Sequence, residues 1–138
     1  MWRLTAIFLE NDSVSRTAIT TNDVAKPVGP FSVAIRSGDR VYASGQVGTE
    51  PATGRLIDGD VAAQTERAFN NVEAVLRAAG KSLDDVVKVN VYLTDMRNFA
   101  AMNAVYARRF AAPYPARTTV AVVALPLGAA VEIEMIAD

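Results

Sequence analysis

The 138-residue sequence contains no cysteine and no histidine. These absences exclude disulfides, thiol nucleophiles, Ser-His pairs, and zinc or haem sites that use Cys or His ligands. Carboxylate sites for Mg or Ca are not excluded in this way, but no Asp-rich ligand loop is visible. We therefore expect no metal and no other cofactor.

An excess of charge of one sign is also missing. The formal net charge is -1, and no basic run is present. The densest basic pair, Arg108-Arg109, is interpreted as the solvated end of a helix. Without a general attraction to phosphate, we expect no nucleic-acid partner.

Long hydrophobic runs are absent as well. The apolar run from Leu4 to Leu9 is too short for a membrane span, and its flanks do not suit a signal peptide. We therefore expect a cytoplasmic protein with no membrane partner. The 51% hydrophobic and 21% charged content is that of an ordinary folded domain.

We predict a single domain at residues 17–138, preceded by an N-terminal extension at residues 1–16. The apolar residues of the extension fit an edge strand or packing on a neighbour, and a disordered tail fits equally well. These residues are Trp2, Leu4, Ile7 and Leu9.

The hydrophobic periodicity of the domain predicts a short strand, a hairpin, a helix, a strand, a second helix and two closing strands. The first helix starts at Asp60 as N-cap and ends at Gly80, and Asp95 or Asn98 caps the second. Two helices can cover only one face of about six strands, so we predict an α/β fold, specifically a two-layer α+β sandwich with a mixed sheet. The predicted strands are 17–21, 31–36, 41–46, 86–93, 118–124 and 131–137.

Strict alternation along these strands predicts a face for each side chain. It places Gln46 on the same face as Tyr42 and Ser44, and Gly45 on the opposite face. It places Val87 with the apolar residues of the fourth strand. Phe99 and Tyr106 are predicted on the apolar side of the second helix.

The sheet face without helices has an unusual predicted composition. It mixes polar, charged and apolar side chains too closely for plain solvent surface, which indicates self-association through this face. Its residues are Tyr42, Ser44, Lys88, Asn90, Tyr92, Glu132 and Ile136.

One fixed cation and two carboxylates are predicted on the closing strands. Arg117 follows Pro115-Ala116 and precedes β-branched residues, so its backbone is predicted to be extended. Glu132 and Glu134 alternate with core residues along the last strand, which we take to be the neighbour of the Arg117 strand. These three side chains are the first candidates for chemistry.

Several separated motifs in the same order resemble the RidA/YjgF family, also called the endoribonuclease L-PSP family. The resemblance covers about residues 17–137. The matching residues are Gly29-Pro30-Phe31-Ser32, Ser44-Gly45-Gln46, Gln64-Thr65, Asn71, Ala78-Ala79-Gly80, Asn103, Tyr106, Pro115-Ala116-Arg117 and Glu132-Ile133-Glu134.

The resemblance implies a chorismate-mutase-like fold and a homotrimer whose sites lie in clefts between subunits. It also implies hydrolysis of reactive 2-imino (enamine) acids, such as 2-iminopropanoate and 2-iminobutanoate, to 2-keto acids and ammonia. The expected partner is therefore a small imino or keto acid.

The resemblance also implies roles for two catalytic residues. Arg117 anchors the substrate carboxylate, which the planar guanidinium matches bidentately. Glu132 orients or deprotonates the attacking water and helps to protonate the leaving nitrogen. The alternative for Glu132 is an exposed strand residue or an ion pair with Arg117 or Lys88. Glu134 is the weaker catalytic candidate and better suits packing or subunit contacts.

Four further residues are expected to line the substrate site. Ser44 and Asn103 match family positions near the ligand, and Thr119 stands where Cys is frequent. Phe31 stands where many active members carry Tyr. If the missing phenolic hydroxyl positions water, activity should fall or preference should move towards more apolar imines.

Three other functions remain open from the sequence. A non-catalytic, small-acid-binding or regulatory trimer would use Arg117 without turnover. A deaminase acting on another enamine, such as aminoacrylate or 2-aminomuconate, would share the same residues. An endoribonuclease is disfavoured, because the sequence has no histidine and no basic stripe.

Overall fold

The computed structural model describes residues 15–138. It contains a six-stranded sheet and two α-helices, which confirms the predicted two-layer α+β sandwich. The predicted extension lies outside the described residues except for Ser15 and Arg16. The elements are β1 Thr17–Ile19, β2 Ala34–Ser37, β3 Arg40–Gln46, α1 Val61–Ala78, β4 Val86–Leu93, α2 Phe99–Arg109, β5 Ala116–Ala121 and β6 Val131–Ala137.

The strand order across the sheet is β1-β2-β3-β6-β4-β5. β4 and β5 are parallel, and every other pair is antiparallel. A parallel pair needs a crossover connection, and α2 provides it between β4 and β5. β5 is therefore an edge strand and β6 lies inside the sheet. The prediction that the Arg117 and Glu132 strands are neighbours is wrong, because β4 separates them.

α1 lies where the periodicity predicts it. Asp60 is the N-cap and its carboxylate accepts a hydrogen bond from the Ala63 N–H, while Gly80 follows the helix with a φ of 75°. The helix packs on β3 and β6. Its apolar stripe, including Phe69 and Leu76, is fully buried in the core.

α2 follows a short 3-10 turn at Met96–Asn98. Asp95 caps this turn, whereas Asn98 makes no side-chain cap bond. α2 packs on α1, so both helices cover the same sheet face. Arg109, at the end of α2, corrects the interpretation of a solvated pair, because it bonds Glu66 and Glu73 on α1 and only 19% of its side chain is exposed.

Two register shifts change which side chains share a face. In β3, Ala43 pairs with Met135 and Gln46 with Ile133, so two residues bulge opposite one on β6. The bulge places Gln46 in register with a buried residue, and the predicted alternation at the end of β3 is wrong. A second shift at the start of β4 leaves Val87 46% exposed, although the alternation predicted it buried.

Buried amides of α1 hold the loop between β3 and α1 and the segment before β6. The Asn71 Nδ2 donates to the carbonyls of Val47 at 3.1 Å and Thr49 at 2.9 Å. The Gln64 Oε1 accepts from the Ala130 N–H at 2.8 Å. These two motif residues therefore satisfy buried backbone groups, which is a structural role.

Across residues 15–138, no helix is both long and apolar enough to span a bilayer. The same part of the chain contains no group of three or more acidic side chains close enough to hold a metal ion.

Candidate functional site

The candidate residues form two groups on opposite faces of the sheet. Arg117 pairs in register with Val89, which is fully buried beneath the helices. Glu132 pairs with Tyr92, three positions further along β4. Since side chains alternate along a strand, Arg117 lies on the helix-covered face and Glu132 on the open face.

The Arg117 cluster consists of Arg117, Asn103, Thr119, Tyr106 and Phe99. The Nη1 of Arg117 donates to the Asn103 Oδ1 at 2.7 Å. The guanidinium carbon lies 4.4 Å from the centroid of the Tyr106 ring and 5.6 Å from that of Phe99. Both distances are within the range of cation–π attraction. An amide and two rings therefore hold the guanidinium at the edge of the sheet.

The spacing along α2 explains why these groups meet. Phe99, Asn103 and Tyr106 are separated by four and three positions, so they lie on one face of the helix. Tyr106 also packs against Phe69 of α1, with ring centroids 5.9 Å apart in an edge contact. The core thus fixes one wall of the Arg117 cluster.

Two polar atoms of the Arg117 cluster are buried without a hydrogen-bond partner in the described part of the chain: the Tyr106 Oη and the Thr119 Oγ1. Burial raises the pKa of Tyr106, and the positive charge of Arg117 partly opposes this shift. No salt bridge within residues 15–138 involves Arg117. A half-buried cation without a carboxylate partner is a good receptor for an anionic ligand.

The Glu132 cluster consists of Glu132, Glu134, Tyr92, Ser44 and Gly45. Glu132 is half-buried on β6, and burial raises the pKa of its carboxyl, with a further contribution from the negative charge of Glu134. A carboxyl with a raised pKa is a stronger base than an ordinary carboxylate, which suits a group that must accept a proton and return it. Glu132 therefore has the electrostatics of a general acid–base.

Glu134 is fixed by two donors from β4. Its Oε1 accepts from the Asn90 Nδ2 at 2.9 Å and from the Tyr92 hydroxyl at 2.5 Å. This hydrogen bond, with burial, raises the pKa of Tyr92 to about 12, so the phenol stays protonated as a donor. Glu134 therefore links β6 to β4, which agrees with its predicted role in packing.

Ser44 connects the bulge of β3 to the segment before β2. Its Oγ donates to the Ser32 carbonyl at 2.6 Å, and its N–H donates to the Val33 carbonyl at 2.9 Å. Phe31, next to Ser32, leaves 54% of its surface exposed. The hydrogen bond from Ser44 to Ser32 therefore places Phe31 and Ser44 in the same part of the structure.

The structure brings Arg117, Asn103 and Thr119 together, but within one chain it does not bring them to Glu132. The predicted alternative for Glu132, an ion pair, is not formed with any residue of 15–138. Lys88 instead donates to the Thr118 Oγ1 at 3.1 Å. Glu132 is thus neither fully exposed nor paired within the described chain.

Sequence reasoning missed the site roles of Tyr106, Phe99 and Gly45. Phe99 and Tyr106 were assigned to the apolar face of α2, and Tyr106 also to the family motif, but neither was assigned to the site. Their spacing around Asn103 was a usable signal. Gly45 was assigned to the core face by strict alternation. The signal for the bulge that turns it towards Glu132 was the glycine itself, because a glycine inside a strand often marks a bulge.

Comparison with known proteins gives consistent matches. The family model described as Endoribonuclease L-PSP matches residues 21–138. A RutC family protein of Pyrococcus horikoshii is 46% identical, over 88% of this chain and 97% of its own. A 2-iminobutanoate/2-iminopropanoate deaminase of Dermatophagoides farinae is 42% identical, over 86% and 92%. The crystal structure of RidA from Psychrobacter sp. PAMC 21119 is 48% identical, with a TM-score of 0.84 over 88% of this chain and 98% of that one.

Proposed function

Since this chain belongs to the endoribonuclease L-PSP (RidA/YjgF) family, as the sequence motifs indicated, we propose that it is a hydrolase of reactive 2-imino acids. Its substrates would be 2-iminopropanoate and 2-iminobutanoate, the imines named for its relative in Dermatophagoides farinae. The products are the corresponding 2-keto acid and ammonia. We expect the reaction to take place in the cytoplasm and to need no cofactor.

The observation that carries this proposal is the state of Arg117. Its guanidinium is half-buried and oriented by Asn103 and Tyr106, yet it has no carboxylate partner within residues 15–138. Because Nη1 is bonded to Asn103, the edge formed by Nε and Nη2 is available. That edge matches the two oxygens of a carboxylate. The nearby hydroxyl of Thr119 is a further donor for the same anion.

Glu132 would carry out the proton transfers. With the imine in its protonated (iminium) form, the carboxylate takes a proton from water as the oxygen bonds to the imine carbon, which yields a neutral tetrahedral carbinolamine. Protonated Glu132 then gives this proton to the nitrogen. The C–N bond breaks as the hydroxyl proton passes to the Glu132 carboxylate, which leaves the keto group and ammonia, and ammonia takes up that proton to leave as ammonium. The raised pKa of Glu132 suits both steps. Ser44 and Phe31 would line the side of the site nearest Glu132.

We further propose that each complete site is shared by two copies of the chain within a homotrimer. Arg117 and Glu132 lie on opposite faces of one sheet, so a small substrate cannot contact both within one chain. The open face also exposes apolar side chains beside polar ones, including Tyr42 at 43% and Val120 at 42%. A surface of this kind favours burial against another subunit.

An assay of keto acid formation tests the proposed activity. The two imines are generated in situ, and keto acid release is followed for wild type, Arg117→Ala and Arg117→Lys. The Ala variant should lose about 10²–10³-fold in kcat/KM, because a charge-assisted bidentate contact is removed. Arg117→Lys keeps the positive charge but lacks the planar pair of N–H donors. Its kcat/KM should therefore lie between those of wild type and Arg117→Ala.

Two results would contradict the proposal. If the imine decays at the same rate with the wild-type protein as in buffer alone, the protein does not have this activity. Equal rates in wild type and Arg117→Ala would exclude Arg117 as the anchor. If wild type binds keto acid but shows no turnover, the non-catalytic binding protein replaces the enzyme.

A further inference from the structure

Gly45 lies directly against the carboxylate of Glu132. A methyl group added at Gly45 would lie 2.1 Å from the Glu132 Oε1, 2.9 Å from its Cδ and 3.1 Å from its Cγ. All three nearest atoms belong to that one side chain. The carboxylate therefore occupies the space in which any other residue at position 45 would carry its Cβ.

The backbone at Gly45 does not itself require glycine. Its φ lies outside the left-handed region, unlike that of Gly38 or Gly80. An alanine could adopt this conformation without backbone strain. The absence of a side chain at Gly45 thus leaves space for the Glu132 carboxylate and is not required by the backbone conformation.

The bulge in β3 creates this arrangement. Ser44 and Gly45 together stand opposite one residue of β6, which turns Gly45 towards the open face instead of the core. Glu132 points to the same face from β6. The extra residue in β3 therefore makes room above the sheet at the position of the proposed acid–base.

We propose that Gly45 is a positioning residue that holds the Glu132 carboxylate in its reactive position. This inference rests on the proposed function, because it assumes that Glu132 transfers the proton. A larger residue at 45 would displace the carboxylate by rotation of the Glu132 side chain and leave the sheet intact. Since the obstructing atoms are at the end of a flexible side chain, the cost should appear in catalysis and not in folding.

The first experiment compares Gly45→Ala with wild type. Its melting temperature should stay within about 2 °C, because no backbone atom has to move. Its KM should change less than about threefold, since Arg117 binds the substrate carboxylate elsewhere, and kcat should fall about 10²-fold. An unchanged kcat would overturn the proposal. A fall in melting temperature large enough to unfold the variant under assay conditions would also overturn it, because the lost activity would then reflect unfolding.

A double-mutant cycle tests the steric mechanism. Glu132→Asp shortens the side chain by one methylene and removes the closest contact with the added methyl group, that of Oε1, because the Asp oxygens reach only as far as the Glu132 Cδ. In this background, Gly45→Ala should lower kcat about tenfold or less, against about 10²-fold in the presence of Glu132. Equal costs in the two backgrounds would overturn the proposal.

Gly48→Ala is the matched control for adding a methyl group near α1. Its Cβ would meet backbone atoms of Gln64, at 3.0 Å from the carbonyl oxygen and 3.1 Å from Cα. This variant should lower the melting temperature, in contrast to Gly45→Ala. If Gly45→Ala and Gly48→Ala lower the melting temperature equally, Gly45 is needed for folding and the proposal is overturned.

A crystal structure of Gly45→Ala separates this inference from the proposed function. The Glu132 carboxylate should have rotated away from position 45, while the backbones of β3 and β6 superpose on wild type. This outcome can be observed even if the wild-type protein has no deaminase activity. A carboxylate in its original place would overturn the inference alone.

Discussion

The Arg117 cluster and the Glu132 cluster hold their charged groups in opposite ways. Arg117 is surrounded by groups that attract it: an amide oxygen at 2.7 Å and two aromatic rings. Glu132 lies over a glycine that leaves room for it and close to a second carboxylate that repels it. The anchor is thus held in place by attractive contacts, whereas burial and a like charge raise the pKa of the acid–base.

The difference follows from where each cluster is built. The Arg117 cluster lies between an edge strand and a helix, where the hydrophobic core fixes the aromatic wall. The Glu132 cluster lies on the open face of the sheet, where residues 15–138 form no second layer over it. We therefore expect the two clusters to respond differently to substitution.

Removing the ionisable group of the Glu132 cluster should have the largest effect. Glu132→Gln keeps the shape of the side chain but cannot take up a proton, so kcat should fall about 10²–10⁴-fold. Keto acid affinity, measured by calorimetry, should change less than about threefold because Arg117 is intact. A parallel loss of affinity and turnover would instead make Glu132 a binding residue.

Combining two inactive variants tests whether the clusters act across subunits. Arg117→Ala and Glu132→Gln chains are co-expressed with different tags and purified through both. Every mixed trimer then has one intact site of three, so activity should return to about one third of wild type. Arg117→Ala chains with both tags are the control and should stay inactive. No recovery in the mixed sample would mean that the site is not shared.

Weakening the wall of the Arg117 cluster should have a moderate effect. Tyr106→Leu removes the ring from the guanidinium and should raise KM about 10-fold at nearly constant kcat, as expected for the loss of one cation–π contact. Tyr106→Phe keeps the ring and is the matched control, with KM within about twofold of wild type. If Tyr106→Phe raises KM as much as Tyr106→Leu does, the buried hydroxyl and not the ring is the important group.

Neutralising Glu134 should produce the smallest effect, a shift in pH dependence. The negative charge of Glu134 contributes to the raised pKa of Glu132, so Glu134→Gln should lower that pKa. The acid limb of the kcat/KM profile, where Glu132 becomes protonated, should then move to lower pH. The other ionisable groups on this face, Lys88, Tyr92 and Tyr42, are unchanged. A shift to higher pH, or none, would argue against this coupling.

Much of the fold could be predicted because the signals are local. Asp60 and Gly80 marked the ends of α1, and the spacing of the apolar residues matched its buried stripe. β6 has the predicted bounds, since Val131–Ala137 alternates without interruption. Residues such as Val87 and Gln46 could not be assigned to the correct face, because a register shift depends on the partner strand.

The sequence by itself determined the chemical inventory: an arginine, two strand carboxylates and no histidine or cysteine, in a chain with the periodicity of a two-layer sandwich. Only the tertiary structure decided which of these groups meet. The order of strands in a sheet depends on long-range pairing, and β4 came to lie between β5 and β6. The register of β4 with its two neighbours put Arg117 and Glu132 on opposite faces, because side-chain direction reverses at every residue of a strand. The bulge at Ser44 and Gly45 put Gly45 beside the Glu132 carboxylate.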